Sequence, residues 1–223
     1  MDKSSIKHIV WIPFDIDRAD KKVPRSWVED RYLVFNKYTF RSLLYQEYTD
    51  FEIWLIHGTR YREFTESVPW HENIKRTYEY GADLLKEIDT DYITVSRLDS
   101  DDLYHRRAMS VIVEETEKYK DPDKIKCLAF CENLQWSTYN HCIGYHIRRK
   151  RLPPFVTRII PRKIYKKEDE LKRIMNVHHG RVPTKGVVEM EPYKVCVVKH
   201  KSNALQLIKG LEQCPIVSQE QKE

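Results

Sequence analysis

The stretch Asp91-Tyr92-Ile93-Thr94-Val95-Ser96-Arg97-Leu98-Asp99-Ser100-Asp101-Asp102 decides the fold. Its first half is dense in β-branched and aromatic residues and reads as a buried strand. Its second half places three carboxylates just past the C-terminal end of that strand. In open α/β sheets, ligands lie outside that edge. Crowded carboxylates repel one another unless a positive charge sits among them, and a divalent cation with oxygen ligands meets that need. Such a cation would in turn hold a diphosphate. The competing reading is a solvated turn in which Asp102 caps a helix beginning near Leu103.

Upstream, His8 to Phe14 reads as a first strand, followed by a polar loop from Asp15 to Ser26. Val28, Tyr32, Phe35, Thr39 and Leu43 then recur at helical spacing, widened by Leu33, Phe40 and Leu44, with Ser26 as N-cap. Phe51 to His57 is a second strand, Thr59 to Glu66 a weaker helix and Ile74 to Tyr78 a third, short strand. Leu84, Leu85 and Ile88 mark an amphipathic segment after Gly81, and Ala108, Val111, Ile112 and Glu115 a further helix before Asp121-Pro122. This alternation of strand and helix predicts a mostly parallel sheet covered by helices.

Downstream the pattern changes. Cys127 to Phe130, Leu134 to Tyr139 and Cys142 to Ile147 read as consecutive strands, expected to join the sheet as antiparallel pairs. A basic, proline-bearing stretch from Arg148 to Lys167 follows, then a short helix from Glu168 to Met175. Val195 to Val198 is a late strand and Ser202 to Gly210 a final helix, before a polar tail from Ser218. The expectation is an α/β fold: a mixed sheet flanked by helices, parallel in its N-terminal half with antiparallel additions. It forms one domain over residues 1–217, with 218–223 disordered.

Composition narrows the function classes. Hydrophobic content of 41% with 12% aromatic residues excludes a disordered chain. A net charge of +5 suits an anionic substrate or a membrane surface and is too weak an excess for a nucleic-acid protein. The five cysteines are odd in number and scattered, the pattern of reduced thiols inside a cell, although the spacing of Cys127 and Cys131 is one that zinc sites use. No apolar run spans a bilayer and no signal peptide stands at the N-terminus, so the expected location is cytoplasmic, including the inner face of a membrane. Arg148-Arg149-Lys150-Arg151, with Arg158, Arg162, Lys163, Lys166 and Lys167, reads either as a peripheral membrane or anionic-acceptor contact or as a solvated basic face.

A parallel α/β half with carboxylates at a strand end, followed by a variable antiparallel half, suits a nucleotide-sugar enzyme. A nucleotide diphosphate leaves poorly until its charge is neutralised, which a metal clamped by aspartates does. Carboxylates and imidazole suit manganese or magnesium, and thiolates do not. A nucleotidyltransferase is the alternative enzyme. Those of related fold carry a glycine-rich phosphate loop after the first strand, and no glycine stands between His8 and His57. A catalytically weak nucleotide-sugar-binding module is the alternative outside catalysis.

Several segments carry a family resemblance. Trp27-Val28-Glu29-Asp30-Arg31 with Phe35 and Leu43 is similar to the first-helix pattern of the bacterial rhamnosyltransferases of GT-A fold. Phe51-Glu52-Ile53-Trp54 resembles their second strand, and Arg97-Leu98-Asp99-Ser100-Asp101-Asp102 their acidic core. Pro154-Phe155-Val156-Thr157, Ile164-Tyr165 and His178-His179 resemble a proline-phenylalanine segment followed by tyrosine and histidine. Val197-Val198-Lys199-His200 with Asn203 resembles their C-terminal pattern, except that Lys201 stands where the family has glycine. The chain is also short for the family, which leaves little room for an acceptor-binding domain.

The resemblance implies a metal-dependent transferase of GT-A type. It would move a sugar from a nucleotide-diphosphate donor to a glycan, lipid-linked or other hydroxyl acceptor, with Mn2+ or Mg2+ as cofactor and no nucleic-acid partner. Asp101 is then the direct metal ligand in a partly solvated site. Asp99 faces the ribose or the metal's water shell, and Asp102 ligates or orients a neighbour. His200 completes the metal site, with His179 or His178 as the second choice. Arg97 meets the nucleotide or neutralises the cluster, and Phe14 and Asp15 border the base, with a Phe14 buried in the core as the competing reading. Asn203 begins a helix whose N-terminus favours a diphosphate. Glu132 stands at the position of a general base.

Overall fold

The computed structural model describes residues 5–15, 24–78, 82–138, 141, 143–147, 155–167, 169 and 186–200. Strands β1 (Ile6–Pro13), β2 (Glu52–Ile56), β3 (Ile74–Thr77) and β4 (Tyr92–Arg97) alternate with helices along the first half. Next come β5 (Leu103–Tyr104), β6 (Lys126–Ala129), β7 (Glu132–Ser137), β8 (Ile143–Ile147), β9 (Val156–Pro161), β10 (Val187–Glu189) and β11 (Val195–Lys199). The main sheet has seven strands in the order β10-β6-β9-β4-β1-β2-β3. The strand first read from the sequence, β4, is therefore its middle member. It pairs in parallel with β1, which pairs in parallel with β2, and β2 with β3. This is the expected mixed α/β sheet, parallel in its N-terminal half.

Its antiparallel additions differ from expectation. β6 joins the main sheet, but its antiparallel partner is β9, which also pairs antiparallel with β4. β7 and β8 do form an antiparallel pair, yet they lie in a second sheet of order β5-β11-β7-β8. The strand β9 falls inside the stretch that reads as a basic loop, and all six of its residues are buried. Arg158 interrupts its apolar run and basic residues flank it, which hides the strand from a periodicity argument.

Where it is described, the basic stretch is a solvated face at Arg162, Lys163, Lys166 and Lys167, which are exposed, and Arg158 alone departs from it. Arg158 is buried within β9, Arg162 pairs with Asp89 and Lys163 pairs with Asp123. Arg162 and Lys163 belong to a short helix, α6 (Arg162–Tyr165). Residues 148–151, the helix expected over 202–210 and the tail lie outside the described residues, as does the helix expected over 168–175 apart from Asp169. Among the described residues, no helix is long and apolar enough to cross a membrane.

The long N-terminal helix runs as α1 (Arg25–Val34), a wider π-helical turn (Phe35–Thr39) and α2 (Phe40–Leu44). It opens at Arg25 after Pro24, so Ser26 sits inside the first turn rather than capping it. Proline with its fixed φ starts a helix without needing a donor. In the wide turn the Phe40 N–H bonds to the Phe35 carbonyl, five residues back. The extra residue lets Val28, Arg31 and Phe35 on one side, and Phe40 and Leu43 on the other, all turn inward. Phe35 is fully buried there, a burial of about 1.5–3 kcal/mol that offsets the poorer hydrogen bonding of the turn.

The main sheet is covered on both faces. Val10, Ile12 and Phe14 pack with Val28, Phe35 and Phe40, and with Met109 and Ile112 of α5 (Ala108–Tyr119). On the reverse, Ile9, Trp11, Trp54 and Ile93 pack with Leu85 of α4 (Ala82–Glu87) and Ile164 of α6. Burial on both faces is why β1 and β4 read as continuous apolar runs rather than alternating ones. Between β2 and β3 lies α3 (Arg62–Ser67), three residues later than the weak helix expected from Thr59.

Candidate active site

The backbone leaves β4 through a Leu98 N–H bond to the Trp11 carbonyl at 3.1 Å, then turns tightly, with the Asp102 N–H bonded to the Asp99 carbonyl at 3.0 Å. The acidic residues thus occupy a loop directly after the central strand. Asp102 caps no helix: Leu103 and Tyr104 are a strand paired with Val195 and Cys196, and the next helix waits until Ala108. Asp99 keeps a partly exposed carboxylate, but the rest of the turn, Asp101 included, is not partly solvated. Ser100, Asp101 and Asp102 are 3%, 7% and 4% exposed.

Each carboxylate has its own partner. Arg97 places Nε and Nη2 on Asp99 Oδ1 at 3.1 and 2.9 Å while lying over the Trp11 ring. Asp102 Oδ1 accepts the backbone N–H of Val198 at 3.1 Å. Asp101 Oδ2 receives Arg31 Nη1 at 2.5 Å and faces His200 Nε2 at 3.1 Å. Burial alone would raise the Asp101 carboxyl, but the Arg31 charge and the hydrogen bonds from His200 and Arg31 outweigh it and hold it below the usual carboxylate range. The repulsion that called for a cation is thus answered from within the chain, chiefly by two arginines.

His200 follows β11 and meets the acidic turn from 99 positions away, on the face where it was expected. Arg31 was not expected there. It lies on α1, 5% exposed, with its guanidinium 4.5 Å over the Trp27 ring. The signal was present: an arginine at helical spacing with Val28 and Phe35 must be buried with them, and a buried arginine requires a carboxylate.

The neighbouring strand end holds a second polar group. Asp15 and His57 follow β1 and β2, 3% exposed each. Asp15 Oδ1 accepts the Gly58 N–H at 2.9 Å and lies 3.3 Å from His57 Nδ1. Asp15 Oδ2 and His57 Nε2 are buried without a partner. Buried polar atoms are nearly always bonded, so such a pair marks a place where an external group completes the bonding. Of the two readings of Phe14, a ring stacked on a base and a buried core ring, the structure shows the second. Phe14 is 2% exposed and meets Phe35, His57 and Trp70 edge-to-face, so its ring belongs to the core.

Glu132 is the residue expected to stand at the position of a general base. It opens β7 in the second sheet, its carbonyl accepts the Tyr193 N–H at 3.0 Å, and its carboxylate accepts the Tyr193 hydroxyl. That ties it to a partly exposed tyrosine rather than to the acidic turn. The next residue, Asn133, points the other way, fully buried and with neither amide atom bonded. His178, His179 and Asn203 lie outside the described residues.

The described donor set does not fit a divalent metal at Asp101. Among the described residues, no three of histidine, cysteine, aspartate and glutamate gather around one point. Asp101 and His200 are two donors, and an ion on Asp101 Oδ2 would press against the Arg31 guanidinium already there. Two cations at hydrogen-bonding distance in a buried site repel strongly.

No family model matches the chain, and no curated protein does. Solved structures of similar shape include TarS 1–349 of S. aureus in complex with UDP-GlcNAc, with a TM-score of 0.46, 12% identity, and 90% of this chain and 62% of that one covered. The chain therefore spans under two thirds of that structure. HddC from Yersinia pseudotuberculosis complexed with GMP-PN has a TM-score of 0.42 and 11% identity, covering 85% of this chain and 91% of that one. The inositol-1-phosphate CTP transferase from T. maritima has a TM-score of 0.39 and 11% identity, with 87% and 90% covered. At these levels no residue role passes from them to this chain.

Proposed function

We propose that the chain is a GT-A-type glycosyltransferase that takes a sugar from a nucleotide-diphosphate donor and delivers it to a hydroxyl acceptor. One observation carries this reading. A buried, charge-balanced acidic turn leaves the central strand β4 beside a carboxylate oxygen of Asp15 that has no partner, at the same edge of the adjacent parallel strand β1. That edge is where open α/β sheets hold nucleotides. In this arrangement Asp15 Oδ2 accepts an N–H or hydroxyl of the nucleoside. Asp99, the most exposed of the three carboxylates, takes a ribose hydroxyl, and the diphosphate lies toward Arg31 and His200.

No step is routed through a metal, and no catalytic base is assigned. A rhamnosyl donor is the finer form of the reading and rests on the family resemblance. The lack of a glycine between His8 and His57 favours glycosyl over nucleotidyl transfer, because a phosphate loop needs backbone that glycine alone allows.

Calorimetric titration with UDP, GDP and dTDP, and with their sugars, tests the proposal. Saturable binding of one nucleotide diphosphate, tighter than its monophosphate, is the expected result, followed by sugar-dependent turnover with a hydroxyl acceptor. Equal indifference to every nucleotide would sink it.

A further inference from the structure

The expectation of a metal came from charge: three carboxylates close together need something positive. The chain supplies it. Arg31 sits on Asp101 Oδ2 at 2.5 Å, and the two side chains are almost wholly buried. The guanidinium is held from a second side by the Trp27 ring at 4.5 Å. Its geometry is thus fixed by an ion pair and a stacking contact, which is pre-organisation rather than chance proximity. A guanidinium carries five N–H donors. Its Nη1 serves Asp101, while its Nε–H is buried and has no partner. A buried donor without an acceptor is costly to keep, and an anion arriving at the site relieves it. His200, on the same Asp101 oxygen, adds an imidazole edge beside it.

We propose that Arg31 is the resident cation of this site: pinned by Asp101 and Trp27, its guanidinium receives the diphosphate of the donor through Nε, so nucleotide binding proceeds without a divalent metal. The proposal rests on the glycosyltransferase reading of the same site and goes beyond it by replacing the metal with a side chain. A guanidinium does part of what a metal does for a diphosphate. It places positive charge against the phosphate oxygens and orients them with directed N–H bonds. On Asp101 Oδ2 it occupies the place a divalent ion would need. Asp101 then acts as a positioning residue, holding the arginine rather than a metal.

The experiment measures binding of UDP, GDP and dTDP to the full chain by calorimetry, once with Mn2+ and once with EDTA. Mn2+ binding alone is followed by electron paramagnetic resonance. The expected result is an affinity that agrees within about threefold between the two conditions, with no tight Mn2+ site in the free protein. The double variant Arg31→Met/Asp101→Asn removes the pair together, so neither charge is left buried alone. It should fold by circular dichroism and lose affinity about tenfold or more, as loss of a charge-assisted bond predicts. Arg31→Lys keeps the charge but not the planar fork or Nε, and should fall between them; it serves as the test should the double variant not fold.

Nucleotide binding that appears only with Mn2+, or wild-type affinity in either variant, would overturn the role of Arg31 and leave the glycosyltransferase reading standing. Failure of every nucleotide diphosphate to bind in both conditions would overturn that reading, and the role of Arg31 with it.

Discussion

The backbone N–H of Val198 bonds to Asp102 Oδ1 at 3.1 Å, joining a strand of the second sheet to the turn that leaves the first. Asp102 is thereby a brace between sheets. Of the two roles expected of Asp102, ligating a metal or orienting a neighbour, this contact is of the second kind.

Asp102→Ala strands the Val198 amide in the interior. It should lower unfolding free energy by about 1–3 kcal/mol, the cost of an unsatisfied buried donor. Asp102→Asn keeps an acceptor oxygen and should lose clearly less. Urea unfolding of the two variants decides the matter, and equal stability of both would refute the brace.

Asp101 should prove equally structural in its effect on the fold. Asp101→Asn leaves the Arg31 guanidinium buried without its counter-charge, which costs about 3–5 kcal/mol. Adding Arg31→Met should restore most of that loss. A double-mutant cycle by chemical denaturation reads the coupling directly, and additive losses would mean that the pair does not interact.

Asp15→Asn should weaken nucleotide binding about tenfold, or about 1.4 kcal/mol, with little change in melting temperature. The asparagine oxygen can still accept the Gly58 N–H. The atom changed is Oδ2, which has no partner inside the protein. Unchanged affinity, measured by calorimetry, would remove Asp15 from the site.

A pH effect on stability follows from His8. Its Nδ1 lies 2.8 Å from the Thr94 hydroxyl, and burial pushes its pKa down from 6.5 to about 4. Between those values the unfolded chain binds a proton that the folded chain does not, so stability falls as pH drops from about 6.5 toward 4. The full loss is about 3 kcal/mol. His8→Gln, which keeps a polar partner for Thr94, should flatten that part of the profile. An identical slope in both proteins would assign the effect elsewhere.

What was legible in the sequence depended on local pattern. β4 and its acidic loop stand as expected because an apolar run followed by aspartates needs no distant partner to be read. His200 is legible through the C-terminal pattern that resembles the family's, behind the strand that delivers it. β9 was missed because its one charged residue, Arg158, is buried, and a rule that places arginine at the surface hides the strand. Arg31 stands at helical spacing with Val28 and Phe35, which marks it for burial, but its partner Asp101 is 70 positions away and leaves no local trace. Phe14 stands at the expected strand end. Its use stays open between base and core in the sequence, because strand position does not tell which way a ring is enclosed.

The insertion of β9 between β6 and β4 has a consequence for synthesis on the ribosome. β4 is complete at residue 97, yet one of its edges stays open until residues 156–161 emerge. Over that interval the nascent chain carries a parallel group of strands with an apolar, unpaired border, the kind of edge that invites wrong partners. Closing it requires a distant segment, which slows folding relative to a chain of local contacts. The acidic turn waits longer still. Arg31 is already present when Asp101 is made, whereas Val198 and His200 arrive nearly a hundred residues later. The arginine is thus the counter-ion that accompanies Asp101 through translation, before the second sheet exists to finish the enclosure.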